Sequence, residues 1–205
     1  MSTMEWDTPD EMIRRRLERG EQLLWSGRPV QGITLRAQDV FLIPFSLLWG
    51  GFAIFWEAIA LSIVFVAGGD GGDGGGAPMA VAIIFPLFGL PFVLIGLYLI
   101  FGRFFVDARR RARTFYGVTD SRIIIVSGLL SQNVKSLNLR TLTDLSMSEK
   151  ASGVGTITFG PVHPFAAFGG GAWCPGTAWW APPSFDLVPN VAEVYRIIRE
   201  AQKRA

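Results

Sequence analysis

Side chains that commonly perform covalent catalysis are scarce in this sequence. His163 is the only histidine and Cys174 the only cysteine, and both lie in a stretch rich in glycine and proline. A nucleophilic cysteine needs a base within hydrogen-bonding reach and a group that orients that base, and this stretch offers no obvious orienting partner. A metal site needs three or four ligands, yet no Asp or Glu lies between Ala151 and Phe185. Since a phosphate-cradling Gly-x-x-x-x-Gly-Lys motif is also absent from the sequence, we predict no enzymatic activity, no metal ion and no cofactor.

The densest local charge is a group of arginines that follows the second of two long apolar segments. The group consists of Arg103, Arg109, Arg110, Arg111 and Arg113. Beside an anionic leaflet each basic residue contributes about 1 kcal/mol of attraction, so we predict these residues to bind the membrane or its lipids. Three roles stay open: setting topology only, adhering to the leaflet without specificity, or recognising a phosphorylated lipid. The net charge of +2 is too small to predict nucleic acid as a partner.

One acidic residue, Glu57, lies inside an otherwise apolar run, close to the middle of the first long apolar segment. A charge at the centre of a membrane helix costs about 2.5–3.5 kcal/mol, so the carboxyl group needs a hydrogen-bonding partner. A simple antiparallel hairpin places Glu57 near Phe88 and Gly89, which have no polar side chain. Three explanations stay open: a backbone carbonyl freed by Pro91, Glu57 of a second copy, or a proton or ion relay.

The two long apolar segments, residues 41–67 and 79–102, dominate the middle of the chain. At a rise of about 1.5 Å per residue, each is long enough to cross the roughly 30 Å hydrocarbon core of a bilayer as a helix. Two buried core helices are the alternative, but so small a chain could not cover both. We therefore predict a transmembrane hairpin joined by a Gly-rich turn over residues 68–78.

Basic residues flank only the outer ends of this hairpin. Arg28 and Arg36 precede it and the arginine group follows it, whereas the only charged residues of the turn are Asp70 and Asp73. Lys and Arg concentrate on the cytoplasmic side of membrane proteins. We therefore predict two passes with both termini in the cytoplasm.

Short runs of alternating hydrophobicity follow the arginine group and predict a small β domain. Phe115–Val118 and Arg122–Val126 flank Thr119-Asp120-Ser121, which suits a hairpin turn. Further strands are predicted at Val134–Leu139, Leu142–Met147 and Val154–Phe159. Apolar residues at helical spacing from Val191 onward predict a C-terminal helix that closes the domain.

The N-terminal region predicts two smaller elements. Thr8-Pro9-Asp10-Glu11 has the pattern of a capping box, which predicts a short, largely exposed helix that ends at Gly20. Leu23–Trp25 is predicted to be a short strand or a docking segment. For the aromatic stretch Phe165–Phe185, two interpretations stay open, a part of the core or a loop whose rings enter the membrane interface.

Several of these motifs resemble a known family. They are Gly20–Pro29, Tyr116–Gly128, Gly155–Gly160 and Pro183–Phe185, with the two spans between the first and the second. In this combination the chain resembles bacterial membrane proteins with a pleckstrin-homology-like (PH-like) domain. The resemblance implies a bent β-sandwich of about seven strands plugged by a C-terminal helix, and it implies no catalytic residues. Since five strands are predicted after the spans, the missing ones are expected from Leu23–Trp25 and from the stretch Phe165–Trp180.

Together these inferences predict an α+β membrane protein in which a two-helix transmembrane hairpin accompanies a small PH-like β-sandwich or barrel closed by a C-terminal helix. The expected domains are a cytoplasmic N-terminal helix and docking segment (1–40), the hairpin (41–102) and the cytoplasmic β domain (103–205). We expect a non-enzymatic, membrane-anchored module of the bacterial plasma (inner) membrane that binds the membrane surface or a protein partner. The alternative is a subunit of an oligomeric transporter or of an ion or proton pathway, which requires a homo-oligomer because two spans cannot enclose a pathway alone.

Overall fold

A computed structural model describes residues 8–35, 39–69, 79–129, 131–161 and 182–205. The chain divides into two compact units. The β unit is formed by Met1–Thr34 with Val106–Ala205, and the helical unit is formed by Leu35–Phe105. Some predictions concern residues outside these ranges and stay predictions. They concern the Gly-rich turn from residue 70 onward, His163, Cys174 and the stretch Phe165–Trp180.

In chain order the helices are α1 Pro9–Arg14, α2 Asp39–Gly69, α3 Met79–Leu97, α4 Arg103–Ala112 and α5 Val191–Arg204. A π-helical turn, Tyr98–Gly102, joins α3 to α4. The strands are β1 Leu23–Gly27, β2 Phe115–Thr119, β3 Arg122–Ser127, β4 Asn133–Asn138, β5 Leu145–Glu149, β6 Gly155–Phe159 and β7 Ser184–Val188. A 3-10 turn, Leu139–Thr141, separates β4 from β5.

Two helical segments among the described residues are long and apolar enough to cross a membrane. They are Asp39–Phe65, with 27 residues, and Ile83–Ala112, with 30 residues. Only 17% and 11% of their most apolar stretches is buried. A core helix of a soluble protein buries most of its apolar residues, so the helical unit leaves an apolar surface that its own described residues do not cover.

Within the helical unit, α2 and α3 approach closely where two glycines face each other. A β-carbon built on Gly96 would lie 2.8 Å from the Cα atom of Gly50, which is too close for two backbone-bound carbons. Small residues allow close packing of membrane helices in the same way. Gly89 of α3 faces Glu57 of α2 in turn, so later residues of α2 meet earlier residues of α3 and the predicted antiparallel pairing is present.

The β unit contains two antiparallel sheets, with strand orders β1-β2-β3-β4 and β5-β6-β7. β1 pairs with β2, with Gly27 opposite Tyr116, although the whole helical unit separates them in the chain. The predicted strand at Leu23–Trp25 thus belongs to the same sheet as strands from the C-terminal region. The predicted hairpin turn is also present, because β2 pairs with β3 with Val118 opposite Ile123.

The remaining strand predictions are confirmed with shifted boundaries. The described residues contain seven strands, as the resemblance implied. β7 at Ser184–Val188 is a further strand, and the strand expected from Phe165–Trp180 lies outside the described residues. β5 begins at Leu145 rather than at Leu142, and three residues separate it from the end of the 3-10 turn.

One hydrophobic core lies between the two sheets and α5. Its fully buried side chains include Val118, Ile123, Ile157, Phe185, Val191, Val194 and Ile198. The alternation of side chains along a strand sends Val118 into this core and its neighbour Gly117 to the opposite face. The predicted C-terminal helix is confirmed, because α5 closes this core with residues at helical spacing.

α1 covers the opposite face of the first sheet. The predicted capping box is present, since the Glu11 N–H donates to the Thr8 hydroxyl oxygen and the Thr8 N–H donates to the Glu11 carboxylate. The helix ends before the predicted Gly20. The expectation of a largely exposed helix is wrong, because Ile13 is fully buried. Ile13 fills the space that Gly117 leaves, where an added β-carbon would lie 2.6 Å from the Ile13 Cγ2 atom.

Candidate membrane-interface site

A buried arginine holds the connector, residues 30–34, against α4. Arg111 is 5% exposed, and its Nη2 atom lies 3.0 Å from the Asp107 Oδ2 atom one helical turn earlier. Its guanidinium also donates to three acceptors of the connector, the carbonyl oxygens of Val30 (3.4 Å) and Gly32 (2.7 Å) and the hydroxyl of Thr34. The Gln31 amide returns a hydrogen bond to the Arg111 carbonyl oxygen at 3.4 Å. These bonds fix the path of the chain where it leaves the first sheet.

The other arginines near the end of α4 point away from the connector. At about 100° per residue, Arg109 and Arg113 are each about 200° from Arg111 and therefore share one face. Both are exposed, although Arg113 also donates to the carbonyl oxygen of Leu129. Arg110 is partly buried. Arg109 and Arg113 thus form an exposed cationic face of the β unit, which Arg110 adjoins.

Arg103 belongs to the helical unit and is 3% exposed. Its Nη1 atom lies 2.8 Å from the Asp39 Oδ1 atom, and its guanidinium carbon lies 4.4 Å from the centre of the Phe104 ring. Its Nε and Nη2 atoms are buried and have no hydrogen-bond acceptor within the described ranges. The predicted group of five arginines is therefore divided: Arg103 and Arg111 have intramolecular partners, and the prediction of a lipid contact rests on the exposed face of α4.

Glu57 lies in the helical unit with its carboxyl group against Gly89. A β-carbon on Gly89 would collide with the Glu57 Oε2 atom, which is the neighbourhood expected for an antiparallel hairpin. This oxygen is buried, and no described residue forms a hydrogen bond with it. Glu57 follows Asp39 by 18 residues, about 27 Å along α2. The midpoint of α2 is Ile54, so Glu57 lies about 5 Å past the middle of the helix, and its depth in a bilayer stays a prediction.

Two chains of aromatic ring contacts join α2 and α3 within the helical unit. One consists of Phe45, Trp49, Phe92 and Phe88 and the other of Phe52, Trp56 and Phe85, with contacting centroids 5.4–6.4 Å apart. Rings of both chains border an apolar groove of 240 Å³ that is also lined by Ala53 and Gly89. We did not predict this groove from the sequence, although the spacing of three and four residues along α2 carries the signal.

A second polar network, the Glu21–Arg122 clasp, lies beside the turn between β2 and β3. Glu21 Oε1 accepts hydrogen bonds from Arg122 Nε (2.8 Å), the Thr119 hydroxyl (2.7 Å) and the Ser121 hydroxyl (3.1 Å). Its Oε2 atom accepts from Arg122 Nη2 and from the Glu18 N–H, both at 2.8 Å. The clasp ties the N-terminal segment to the β2–β3 turn.

The environment of the clasp favours the charged forms of both partners. Burial raises the pKa of Glu21, but the hydrogen bonds from Arg122, the Glu18 N–H and Thr119 outweigh burial and lower this pKa from 4.5 to about 2. The hydrogen bond to Glu21 raises the pKa of Arg122. Since the chain itself supplies every one of these partners, the clasp has a structural role. The two residues are 101 positions apart, so no local sequence pattern indicates it.

Comparison with known proteins adds one finding. Residues 59–202, more than half of the chain, match the family model for the bacterial PH domain. No curated protein and no solved structure matches the chain. The matched range begins inside α2 and ends inside α5, so β1 precedes it even though β1 is part of the first sheet.

Proposed function

The chain belongs to the bacterial PH domain family, and from that premise we propose that it is a membrane-anchored interaction module. In this proposal α2 and α3 cross the bacterial plasma membrane as a hairpin. The β unit lies on the cytoplasmic side, where it binds the membrane surface or a protein partner and catalyses no reaction.

The exposed apolar surface of the helical unit carries the proposal. Phe41, Leu48 and Phe65, which are spread along α2, are 80%, 75% and 78% exposed. Exposure of apolar surface to water costs roughly 25 cal/mol per Å², and a hydrocarbon environment removes this cost. Helices also satisfy their backbone hydrogen bonds internally, as the bilayer core requires.

The helical unit interrupts the β unit in the chain, so the two units are joined at two points. The chain passes between the units twice, at Thr34–Leu35 and at Phe105–Val106, and the strands before and after are paired neighbours. A β unit attached at both crossings stays close to the bilayer. That tether supports a role at the membrane surface for the exposed Arg109 and Arg113.

Extraction of membranes at alkaline pH tests the anchor. We expect the full chain to stay in the membrane pellet after an alkaline carbonate wash. The matched control replaces residues 35–105 with a flexible linker of about ten Gly and Ser residues, which keeps β1 and β2 in one chain and should give a soluble β unit. Release of the full chain by the wash would contradict the proposal.

The linker variant also tests lipid binding by the arginines. It should bind anionic vesicles weakly, and binding should fall as salt rises, because exposed charges are screened over about 10 Å at 0.1 M. Replacing Arg109, Arg110 and Arg113 with glutamine should abolish this binding. Equal binding to neutral and anionic vesicles would show that these charges do not mediate it.

A second candidate function, a subunit of an oligomeric ion or proton pathway, is favoured by Glu57. Its buried Oε2 atom has no partner among the residues that the structure describes, and an unsatisfied buried polar group costs roughly 1–3 kcal/mol. A second copy of the chain offers one such partner. Polar pairs between membrane helices contribute about 0.6–2 kcal/mol.

Energy transfer between labelled copies in vesicles tests this candidate. Glu57→Gln keeps a hydrogen-bonding group of similar size and should preserve association, whereas Glu57→Leu should weaken it by roughly threefold to thirtyfold. A leucine variant that associates as well as the unmodified chain would show that Glu57 does not join the copies. A wild-type assembly that conducts no protons or ions would rule out the pathway and leave the anchor proposal intact.

A further inference from the structure

We propose that the connector is a lipid-contacting wedge in which Arg111 positions the backbone so that Ile33 inserts into the headgroup region of the bilayer. The inference rests on the proposed membrane anchor and deepens it by naming a contact with lipid. It also assigns to Arg111 a role other than binding lipid.

The connector is held by hydrogen bonds, and its side chain Ile33 is apolar and exposed. Arg111 holds residues 30, 32 and 34, and the Gln31 amide donates back to the chain at Pro29 and Arg111. Gly32 has a φ of +88°, a conformation that glycine adopts readily and other residues rarely do. The connector therefore has a defined, turned path. Ile33 lies within it and is 62% exposed.

Chain connectivity limits how far Ile33 can lie from the proposed membrane helices. Ile33 lies six positions before the start of α2 at Asp39, a span of at most about 20 Å. Arg111, which holds the connector directly, follows Phe105 by six residues, about 9 Å along α4. The headgroup layer of a bilayer is roughly 5–8 Å thick on each side. Chain connectivity therefore keeps Ile33 within about 20 Å of the start of α2.

The chemistry around the connector suits such a layer. Arg109 and Arg113 are exposed on the opposite face of the same helical segment, where they attract anionic headgroups. Interfacial membrane segments combine apolar and basic side chains; here Ile33 belongs to the connector, and Arg109 and Arg113 lie on the opposite face of the helical segment. Arg111 itself is only 5% exposed, so it acts by positioning the connector.

Site-directed spin labelling of the full chain in vesicles of neutral and anionic phospholipid tests the wedge. Single cysteines are introduced at Ile33, Phe88 and Val134 in a Cys174→Ser background. Phe88 in α3 is 66% exposed and reports on the proposed span, and Val134 in β4 is 49% exposed and serves as the control in water. The accessibility of each spin label is measured with two relaxing agents: oxygen, which concentrates in lipid, and a nickel chelate, which stays in water. We expect nickel accessibility at position 33 to be several-fold lower than at position 134.

A charge-matched pair of substitutions tests the role of Arg111. Arg111→Gln should raise nickel accessibility at position 33 to the level found at position 134, because the connector loses its three bonds to the guanidinium. Arg140→Gln removes the same charge from an exposed position in the 3-10 turn and should leave the label at position 33 unchanged. If Arg111→Gln does not fold, Arg111→Lys keeps the charge without the fork of donors and should give the same change to a smaller extent.

The outcomes separate the wedge from the anchor. A label in lipid at position 88 with a label in water at position 33 would overturn the wedge and leave the anchor standing. A label in water at position 88 would overturn both. An unchanged signal at position 33 in a folded Arg111 variant would show that Arg111 does not position the connector.

Discussion

Glu21→Gln should destabilise the β unit at neutral pH, because it removes the charge from the Glu21–Arg122 clasp. The pKa of Glu21 is lowered from 4.5 to about 2, a shift of about 2.5 units at about 1.36 kcal/mol each. The ionised form therefore contributes roughly 3 kcal/mol to the free energy of unfolding. The Glu21 side chain is 4% exposed and that of its partner Arg122 is 20% exposed, so screening by solvent makes this figure an upper bound.

The pH dependence of this contribution has a definite sign. The pKa of Glu21 in the folded chain lies below its unfolded value, so the contribution is fully present above the unfolded pKa. It is lost as the pH falls from about 4.5 to about 2. The wild-type chain should lose stability over this range, whereas the glutamine variant should change less.

The loss of stability is measured by urea unfolding of the full chain in detergent micelles. Hydrogen exchange of the amides in β2 and β3 is the readout. The control is Glu18→Gln, because Glu18 also pairs with Arg122 at 2.8 Å but its side chain is 76% exposed. An exposed pair of this kind contributes at most about 1 kcal/mol. Equal stability of wild type and Glu21→Gln at pH 7, or equal loss of stability between pH 5 and pH 2, would refute the reasoning.

Three further predictions concern packing and topology. Gly96→Ala should lower the thermal stability of the helical unit in micelles, since its β-carbon would lie 2.8 Å from a backbone carbon, whereas Gly51→Ala meets nothing within 4 Å and serves as the control. Ile13→Ala should cost about 2–4 kcal/mol of β-unit stability in urea unfolding, because this side chain is fully buried. A single cysteine at Gly72 should react with an impermeant thiol reagent on intact cells, and one at Ala205 should not, because arginines flank only the outer ends of the hairpin.

Each of these predictions has an opposing result. Equal melting temperatures for the two glycine variants would mean that α2 and α3 do not pack at Gly96. A loss below about 1 kcal/mol for Ile13→Ala, the size typical of surface changes, would mean that α1 does not cover the sheet. Labelling at Ala205 but not at Gly72 would reverse the orientation.

Much of the secondary structure was predictable because its signals are local. A continuous apolar run indicates a long helix whatever surrounds it, and strand alternation with a polar turn indicates the β2–β3 hairpin. The capping box at Thr8 and the apolar spacing of α5 are also local patterns, because the residues that form each one are only a few positions apart. The same local patterns indicated β1, but the partner of β1 lies beyond the whole helical unit, so its place in the sheet was only suggested by the family resemblance.

The role of each charged residue was decided by tertiary structure. Four arginines within five positions look equivalent in the sequence, yet Arg111 is buried against the connector while Arg109 and Arg113 lie on the opposite face. Glu21 and Arg122 meet across 101 positions. A buried charge is stable only where packing also supplies its hydrogen-bond partners. The three-dimensional arrangement of distant segments determines which partners a charged residue meets. The periodicity of a helix or strand, by contrast, depends only on its own residues.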